Sequence, residues 1–316
     1  MKVIRGIPPS LTRTPCALTI GNFDGVHLGH QALLAELHTF AQQHQLQTCL
    51  LTFEPHPKEF FTPQNAPARI LGLRDKLDAL KKTNVDLVIV EHFNAHFAKK
   101  TPDEFVHDIL VKGLNTRHIV IGDDFHYGAK RAGNIESLKI AGEQYGFSVH
   151  ALNTINDSQS ERISSTAVRN ALRQGDLDLA KQLLGRPYMI SGHVIHGKKL
   201  GRTLRFPTLN VAMTNRFQER PPAMTGIFVV QVHGLAKNPI PGVASLGYRP
   251  TVEDAGRVLL ETHLFDFNEE VYGKIIQVEF LKKLRDEAKY SDLTSLQIAI
   301  EADANAARNY FKNQYV

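Results

Sequence analysis

The sequence contains little cysteine and no long hydrophobic run. Only two of its 316 residues are cysteines, Cys16 and Cys49, and each lies inside an apolar, strand-like run. We therefore expect buried free thiols in a reducing compartment and no disulfide framework. The segment Met1–Ser10 lacks the apolar core of a signal peptide, and no segment approaches the length of a membrane span. These absences predict a cytoplasmic protein with no membrane partner.

The chain also lacks a cluster of charge, an internal repeat and a low-complexity tract. Its formal net charge is +5, but the lysines and arginines are dispersed. This distribution suits anionic substrates and predicts no nucleic-acid partner. Hydrophobic residues make up 42% and charged residues 22%, which is typical of globular proteins. Because 316 residues are many for one domain, we expect two.

Strands and helices alternate in the first half of the chain. Apolar runs predict strands at Cys16–Ile20, Thr48–Phe53, Leu87–Glu91, His118–Gly122 and Phe147–Leu152. Apolar spacings of three and four residues predict helices after the first strand and at Asp75–Lys82, Asp103–Lys112 and Ile135–Tyr145. The alternation predicts a Rossmann-like α/β domain with a parallel sheet, whose ligands bind beyond the carboxyl ends of the strands.

The pattern changes after Pro187. Six short β-type runs follow, at Met189–Ile195, Thr208–Met213, Ile227–Val232, Gly242–Leu246, Val258–Leu264 and Ile275–Phe280. They predict a small six-stranded antiparallel β-barrel. A C-terminal helix covering one side of it is predicted by the apolar stripe Leu296, Ile300, Ala307 and Phe311. We therefore predict two domains, residues 1–186 and residues 187–316.

The most informative segment is the turn Gly21–His30, which joins the first strand to the first helix. Backbone N–H groups at a helix N-terminus have no partner within the helix and attract phosphate. The glycines of the turn let the backbone approach a ligand closely. His27 and His30 add two imidazoles that can donate to phosphate oxygens. The turn therefore predicts a nucleotide site, and its other candidate residues are Gly21, Asn22, Phe23, Asp24, Gly25 and Gly29.

Two other interpretations of the histidines stay open. His27 and His30 could form half of a metal site, although no cysteine or carboxylate cluster lies nearby and zinc usually takes three or four ligands. One of them could instead cap the helix. The turn matches neither the Gly-x-x-x-x-Gly-Lys-Ser/Thr phosphate loop nor the Gly-x-Gly-x-x-Gly dinucleotide motif. The combination of glycines, histidines and a preceding strand favours phosphate.

Two further segments follow predicted strands of the first domain. Gly122–Gly128 contributes Asp124 and Phe125 as candidate ligand contacts. Ile163–Arg169 opens a helix with hydroxyl groups and places Arg169 one turn along. By itself this pattern is an ordinary helix cap. Beside the nucleotide turn it predicts a phosphate clamp, in which Arg169 neutralises charge and the hydroxyl-bearing residues are Ser164, Ser165 and Thr166.

A second candidate site precedes the second strand of the predicted barrel. A basic, glycine-rich loop here can bind phosphate through Gly197, Lys198, Gly201 and Arg202, although such turns are also common on protein surfaces. Thr208 and Asn210 alternate with Leu209 on a strand, so their oxygens face one way and could share a magnesium ion. The alternative for this pair is an edge-strand hydrogen bond.

Several of these segments resemble one known family. The turn Gly21–His30 is similar to the His-x-Gly-His signature of nucleotidylyltransferases. Its longer form resembles the Gly-Asn-Phe-Asp-Gly-Val-His-x-Gly-His motif of bacterial bifunctional riboflavin kinase/FAD synthetases. Ile163–Arg169 resembles their Ile-Ser-Ser-Thr-x-x-Arg element. Gly201–Val211 resembles their Gly-Arg-x-Leu-Gly-Phe-Pro-Thr-Ala-Asn-Val kinase signature, with Arg205 and Leu209 in place of glycine and alanine.

The resemblance covers nearly the whole chain and implies two phosphorus transfers. It implies that ATP phosphorylates riboflavin to FMN, with Glu261 as general base and Mg²⁺ held by Thr208 and Asn210. It also implies that FMN attacks the α-phosphate of a second ATP, with His27, His30 and Arg169 as donors. FAD is then a product and not a bound cofactor. Without the resemblance, Glu261 would be an ordinary solvated strand residue.

Two other classes of function stay open on the sequence alone. A different adenylyltransferase, acting on a phosphopantetheine or nicotinate nucleotide, would share the Gly21–His30 turn but would not explain the matches in the second domain. A non-enzymatic protein that senses flavins or nucleotides would leave His27, His30 and Glu261 without a shared purpose.

Overall fold

The computed structural model describes residues 1–7, 14–153, 162–197, 206–213, 222–248 and 258–314. The chain divides into two compact units. The first comprises Met1–Pro67 and Leu77–Ile163, and the second comprises Ala68–Lys76 and Ser164–Val316. The predicted domain boundary between residues 186 and 187 states that the parts of the chain on either side fold independently. It stays a prediction.

The first unit is built on a six-stranded parallel sheet. Its strands are β1 (Lys2–Arg5), β2 (Cys16–Ile20), β3 (Gln47–Glu54), β4 (Leu87–His92), β5 (Thr116–Gly122) and β6 (Ser148–Leu152). They stand in the order β1-β4-β3-β2-β5-β6, and all neighbouring pairs are parallel. The apolar runs predict five of these strands. They do not indicate β1, because this edge strand is mostly exposed and carries no apolar pattern.

Helices connect these strands. Their bounds are α1 (Leu28–Gln43), α2 (Pro57–Phe61), α3 (Leu73–Leu80), α4 (Ala95–Ala98), α5 (Pro102–Glu104) and α6 (Ile135–Tyr145). A reciprocal cap starts α5: the Thr101 hydroxyl accepts from the Glu104 N–H at 3.2 Å, and the Glu104 carboxylate accepts from the Thr101 N–H at 2.7 Å. The chain then continues as a π-helix over Phe105–Gly113.

The core of the first unit lies between the sheet and its helices. It contains Leu18 of β2, Leu51 of β3 and Ile119 of β5, together with residues of the π-helix and α6. Cys16 and Cys49 are 3% and 1% exposed and are not disulfide-bonded. The expectation of buried free thiols is therefore confirmed.

The second unit contains a closed antiparallel barrel. Its strands are β7 (Met189–Ile195), β8 (Leu209–Ala212), β9 (Gly226–His233), β10 (Ile240–Tyr248), β11 (Val258–Leu264) and β12 (Ile275–Arg285). They close in the order β10-β11-β8-β7-β12-β9, which leaves no unpaired sheet edge. Helix α9 (Leu293–Gln314) packs Ala304 and Ala307 against Val229, Val243 and Phe265 on the outside of the barrel. The predicted fold class is confirmed.

The second unit also includes α7 (Ser165–Gln174), α8 (Leu177–Leu184) and the segment Ala68–Lys76. The Tyr188 hydroxyl donates to the Ile70 carbonyl oxygen at 2.9 Å. The Ser191 N–H donates to the Asp75 carboxylate at 3.3 Å. Within the described ranges, no helix has both the length and the apolar character that crossing a membrane requires.

Candidate active sites

The turn between β2 and α1 is strained. Phe23 and Val26 have φ of 49° and 44°, in the left-handed region, and Gly25 has φ of 88°. A left-handed valine is an outlier because its branched side chain crowds the backbone. Such residues cost on the order of 1–3 kcal/mol each, and they cluster at ligand sites. Both side chains are buried, with Phe23 2% and Val26 0% exposed. The strain is therefore held by the packed fold.

His27 is the N-cap of α1. Its Nδ1 accepts a hydrogen bond from the His30 N–H at 3.4 Å, which places the proton of a neutral ring on Nε2. The two imidazole rings stack, with centroids 3.7 Å apart and planes at 21°. The cap considered from the sequence is therefore confirmed for His27. In this tautomer Nε2 carries a hydrogen, and an N–H group of this kind can donate to a phosphate oxygen.

Close packing explains why residues 21 and 29 of the turn are glycines. A Cβ at Gly29 would lie 3.2 Å from atoms of the His27 ring and 3.2 Å from the Ile163 carbonyl oxygen. A Cβ at Gly21 would lie 3.1 Å from the Phe23 ring. The part of the chain that the structure describes contains no group of three or more His, Cys, Asp or Glu residues able to hold a metal ion. The phosphate interpretation of the turn stays a prediction.

Aromatic rings line the ends of β3 and β4, and sequence analysis missed them. Phe53 in β3 packs against Phe93, the residue after β4, with ring centroids 5.6 Å apart. Phe60 and Phe61 at the end of α2 also pack against Phe93, each at 5.6 Å. Phe60 is 37% and Phe61 60% exposed. We call Phe53, Phe60, Phe61 and Phe93 the aromatic edge. In the sequence, the one sign of this cluster is the adjacent pair Phe60 and Phe61, which follows the end of a predicted strand.

Further ring contacts link the aromatic edge to the loop after β5. Phe53 contacts Phe97 at 5.4 Å, and Phe97 contacts Phe105 at 6.2 Å. Phe105 contacts Tyr127 at 5.3 Å, and Tyr127 stacks on Phe125 at 5.9 Å with planes at 17°. The structure therefore brings the candidate residue Phe125 into one continuous aromatic array with the aromatic edge.

Asp124, the other candidate in this loop, is exposed. Its carboxylate accepts a hydrogen bond from Arg162 Nη2 at 2.9 Å, and the two side chains are 69% and 52% exposed. A pair this open to water contributes little to stability. The Asp124 carboxylate is thus reachable from solvent.

The predicted phosphate clamp lies at the start of α7 in the second unit. Ser164 is its N-cap, and the Ser164 hydroxyl accepts from the Ala167 N–H at 3.2 Å. Ser165 and Thr166 occupy the first turn, Ser165 half-buried and Thr166 exposed. Arg169 Nε donates to a backbone carbonyl oxygen of the same unit, that of Ala68, at 2.6 Å. The helix-cap interpretation is correct for Ser164, and the clamp stays a prediction.

Glu261 lies in a row of residues that runs across three strands of the barrel. Strand register pairs it with Asn210 of β8 on one side and with Ser245 of β10 on the other. Directly opposed residues of antiparallel strands share a face, with Cβ atoms about 4.5–5.5 Å apart. Burial alternates along β11, and its interior positions include Leu260 and Thr262. Glu261, Asn210 and Ser245 therefore share the outer face.

Asn210 has the features of a ligand to a hard cation. Its side chain is 5% exposed, and Oδ1 has no hydrogen-bond partner among the described residues. Gly197 packs directly on its amide group, since a Cβ there would lie 2.8 Å from Oδ1 and 2.6 Å from Cγ. A buried amide oxygen with unused lone pairs suits Mg²⁺, which prefers oxygen ligands. Thr208, which is half-buried, is the residue immediately before β8.

The remaining candidates of the phosphate loop, Lys198, Gly201 and Arg202, lie outside the described residues. The contact between Gly197 and Asn210 nevertheless shows that this loop begins at the Glu261 row. The glycine at position 197 is required by this close approach, because any larger residue would displace the Asn210 amide.

His263 shares the face of Glu261, two residues along β11. Its Nδ1 lies 2.9 Å from the Pro207 carbonyl oxygen and donates to it. Burial lowers the pKa of His263; the hydrogen bond to Pro207 opposes this effect, and the charge of Arg308 adds to it. The imidazole is therefore neutral near neutral pH, and it ties β11 to the residues just before β8.

Comparisons with known proteins account for both halves of the chain. The FAD synthetase family model matches residues 10–167, and the riboflavin kinase family model matches residues 184–311. A bifunctional riboflavin kinase/FMN adenylyltransferase from Haemophilus influenzae is 44% identical over 314 residues, which cover 99% of this chain and 100% of that protein. The protein of the same name from Escherichia coli K12 is 45% identical and is matched over 98% of each chain.

The fold has also been seen in a crystal structure. A protein from Streptococcus pneumoniae, described as a macrolide-efflux protein, matches with a TM-score of 0.78 and 28% identity. The match covers 97% of this chain and 99% of that one. Two family models and full-length relatives together account for both halves of the sequence. The chain therefore belongs to the bifunctional riboflavin kinase/FMN adenylyltransferase family.

Proposed function

We propose that this chain carries out its two reactions with two separate sets of residues. One set phosphorylates riboflavin to FMN with ATP, and the other adenylylates FMN with a second ATP to give FAD and pyrophosphate. The observation that carries this division is that the Gly21–His30 turn and the Glu261 row lie in different compact units. We assign FAD synthesis to residues 1–186 and riboflavin phosphorylation to residues 187–316. This division of residues follows the proposed chemistry and not the compact units, because the clamp residues 164–169 belong to the unit that contains the barrel.

In the kinase reaction, Glu261 takes the proton of the riboflavin 5′-hydroxyl as that oxygen bonds to the γ-phosphorus of ATP. The bond from that phosphorus to the ADP oxygen breaks, so phosphoryl transfer yields FMN and ADP. The buried Asn210 Oδ1, which has no hydrogen-bond partner among the described residues, supports a metal at this place opposite Glu261. Thr208 and Asn210 would hold it, and Mg²⁺ supplies positive charge that offsets the charge of the phosphates. Phosphate contacts come from the loop residues Gly197, Lys198, Gly201 and Arg202.

In the adenylyl transfer, an oxygen of the FMN phosphate bonds to the α-phosphorus of ATP and pyrophosphate leaves. A phosphate is already ionised near neutral pH, so this step needs no strong base. Catalysis rests on position and on donors aimed at the developing charge: the His27 Nε2–H, His30, Arg169 and backbone N–H groups. The cap geometry supports this role for His27, because Nδ1 is occupied and Nε2 carries the proton.

The aromatic edge is the best support for a flavin at the parallel sheet. A flavin ring is a large flat π-system, which packs against aromatic side chains. Phe60 and Phe61 present exposed rings next to the carboxyl ends of the strands, where α/β sheets bind ligands. The same array reaches Phe125 in the loop after β5. A nicotinate nucleotide offers this surface only one small aromatic ring, and the pantetheine arm of a phosphopantetheine offers none.

Composition supports the remaining assignments. The dispersed basic residues favour small anionic substrates over nucleic acid. The two buried free thiols favour a reducing, cytosolic location.

The test is to incubate the purified protein with riboflavin, ATP and Mg²⁺ and to separate riboflavin, FMN and FAD by chromatography. We expect FMN to appear first and FAD to follow, and removal of divalent metal with a chelator to stop the conversion of riboflavin. Unchanged riboflavin in the complete mixture would contradict the proposal for the barrel, and FMN without FAD would contradict the proposal for the parallel sheet.

A further inference from the structure

The strained turn between β2 and α1 is held by two side chains outside the Gly21–His30 motif. The first is Gln31 in the first turn of α1, whose Nε2–H donates to the Val26 carbonyl oxygen at 2.9 Å. Val26 is the β-branched residue with φ of 44°. Because a peptide unit is planar, fixing the Val26 oxygen also fixes the direction of the His27 N–H. Gln31 therefore orients the backbone at the residue that caps α1.

The second is Thr52 in β3, which is 0% exposed. Its hydroxyl donates to the Asn22 carbonyl oxygen at 3.1 Å. By the same planarity, this bond fixes the direction of the Phe23 N–H, and Phe23 is the other non-glycine residue with positive φ. The two donors therefore hold the peptide planes on either side of the strained residues 23–26, one from the neighbouring strand and one from the following helix.

We propose that Gln31 and Thr52 are positioning residues for FMN adenylylation. They touch no substrate in this assignment. They keep the strained turn in the one conformation that aims its N–H groups and the His27 ring at the reacting phosphate. Donors fixed before the reaction stabilise transition-state charge without reorganising, whereas a turn that relaxes loses that alignment. The inference rests on the proposed FAD synthesis at the Gly21–His30 turn.

Isosteric variants of the full-length protein test this role. Gln31→Leu and Thr52→Val remove the donor but keep most of the volume, and Thr52→Ser keeps the hydroxyl. Gln42→Leu is the matched control, because Gln42 is an exposed glutamine on the same helix. The readouts are kcat and KM for FAD formation from supplied FMN and ATP, riboflavin phosphorylation in the same preparation, and the melting temperature.

Misplacing reacting groups by about 1 Å costs on the order of a hundredfold in rate, so we expect kcat for FAD formation to fall about tenfold to a hundredfold in Gln31→Leu and Thr52→Val. KM values and riboflavin phosphorylation should stay close to the wild-type values. Thr52→Ser should recover most of the lost kcat, and Gln42→Leu should match the wild type. Such a split between kcat and KM marks an interaction that matters in the transition state.

Three results would overturn the inference. The first is a wild-type kcat in both Gln31→Leu and Thr52→Val. The second is a rise in KM with no change in kcat. The third is an equal loss of both activities with a lower melting temperature in Gln31→Leu, Thr52→Val and also Thr52→Ser. A wild-type protein that makes no FAD would instead refute the proposed function itself. The two failures are therefore distinguishable.

Discussion

We predict that His118 makes the free energy of unfolding of the first unit depend on pH. The side chain is 6% exposed, stacks on Phe40 with ring centroids 3.4 Å apart, and has Nδ1 2.7 Å from the Ser148 hydroxyl. Burial, followed by the charges of His150 and His44, lowers the pKa of His118 from 6.5 to about 4. The folded protein thus keeps this ring neutral at pH values where the unfolded chain protonates it.

The sign and size of the effect follow from linkage. Well above pH 6.5 the ring is neutral in both states, and its titration then leaves the free energy of unfolding unchanged. As the pH falls toward 4, the unfolded chain binds a proton that the folded protein does not, so the free energy of unfolding decreases. The full pKa difference corresponds to about 3 kcal/mol, and about 2 kcal/mol of it is lost between pH 7.5 and pH 5.

The assay is urea unfolding followed by far-ultraviolet circular dichroism, for the wild type and for His118→Gln. The variant loses the aromatic stack and should be less stable at pH 7.5, but the difference should shrink by about 2 kcal/mol at pH 5 because glutamine does not titrate. His96→Gln, at an exposed position in α4, is the control. A difference between wild type and His118→Gln that is the same at both pH values would refute the reasoning.

Three further predictions concern the two sites. His30→Ala should lower FAD formation from FMN by about a hundredfold and leave FMN formation near normal, whereas equal loss of both in a folded protein would count against separate sites. Glu261→Gln should lower FMN formation from riboflavin by roughly a hundredfold or more while FAD formation from supplied FMN persists; retained kinase activity would return Glu261 to an ordinary surface role. A fragment of residues 187–316 should melt cooperatively and make FMN but no FAD, and residues 1–186 should do the converse. Helices α7 and α8 belong to the same compact unit as the barrel, so a fragment of residues 164–316 should be compared with the fragment of residues 187–316. If only the longer fragment melts cooperatively, the domain boundary lies before residue 164 and not at residue 187.

Local signals explain how much of the fold could be predicted from the sequence. Strands β2, β7 and β11 and helix α6 have the bounds that the apolar patterns predict. At α6 the caps are local as well: the Asn134 side chain accepts from the Ser137 N–H at 2.9 Å, and Gly146 takes the left-handed φ of 77° that ends the helix. Such features depend only on residues close in the chain, so the sequence alone is enough to predict them.

The rest depends on residues that are distant in sequence. Nothing local pairs Asn210 with Glu261, because the register of β8 and β11 is set by closure of the whole barrel. The aromatic edge forms only when β3 and β4 become neighbours. The left-handed Val26 has no sequence signal at all, since valine normally avoids that conformation. The candidate sites can thus be proposed from residue types and motifs, whereas the geometry of those residues cannot.

The most direct test of two separate sites is to mix two single-site variants. His30→Ala protein, which retains the Glu261 row, should convert riboflavin and ATP to FMN and stop there. Glu261→Gln protein, which retains the turn, should leave riboflavin unchanged. Their mixture should form FAD from riboflavin, because FMN released by one variant is the substrate of the other. Failure of the mixture to make FAD, when each variant retains its own single reaction, would contradict the account.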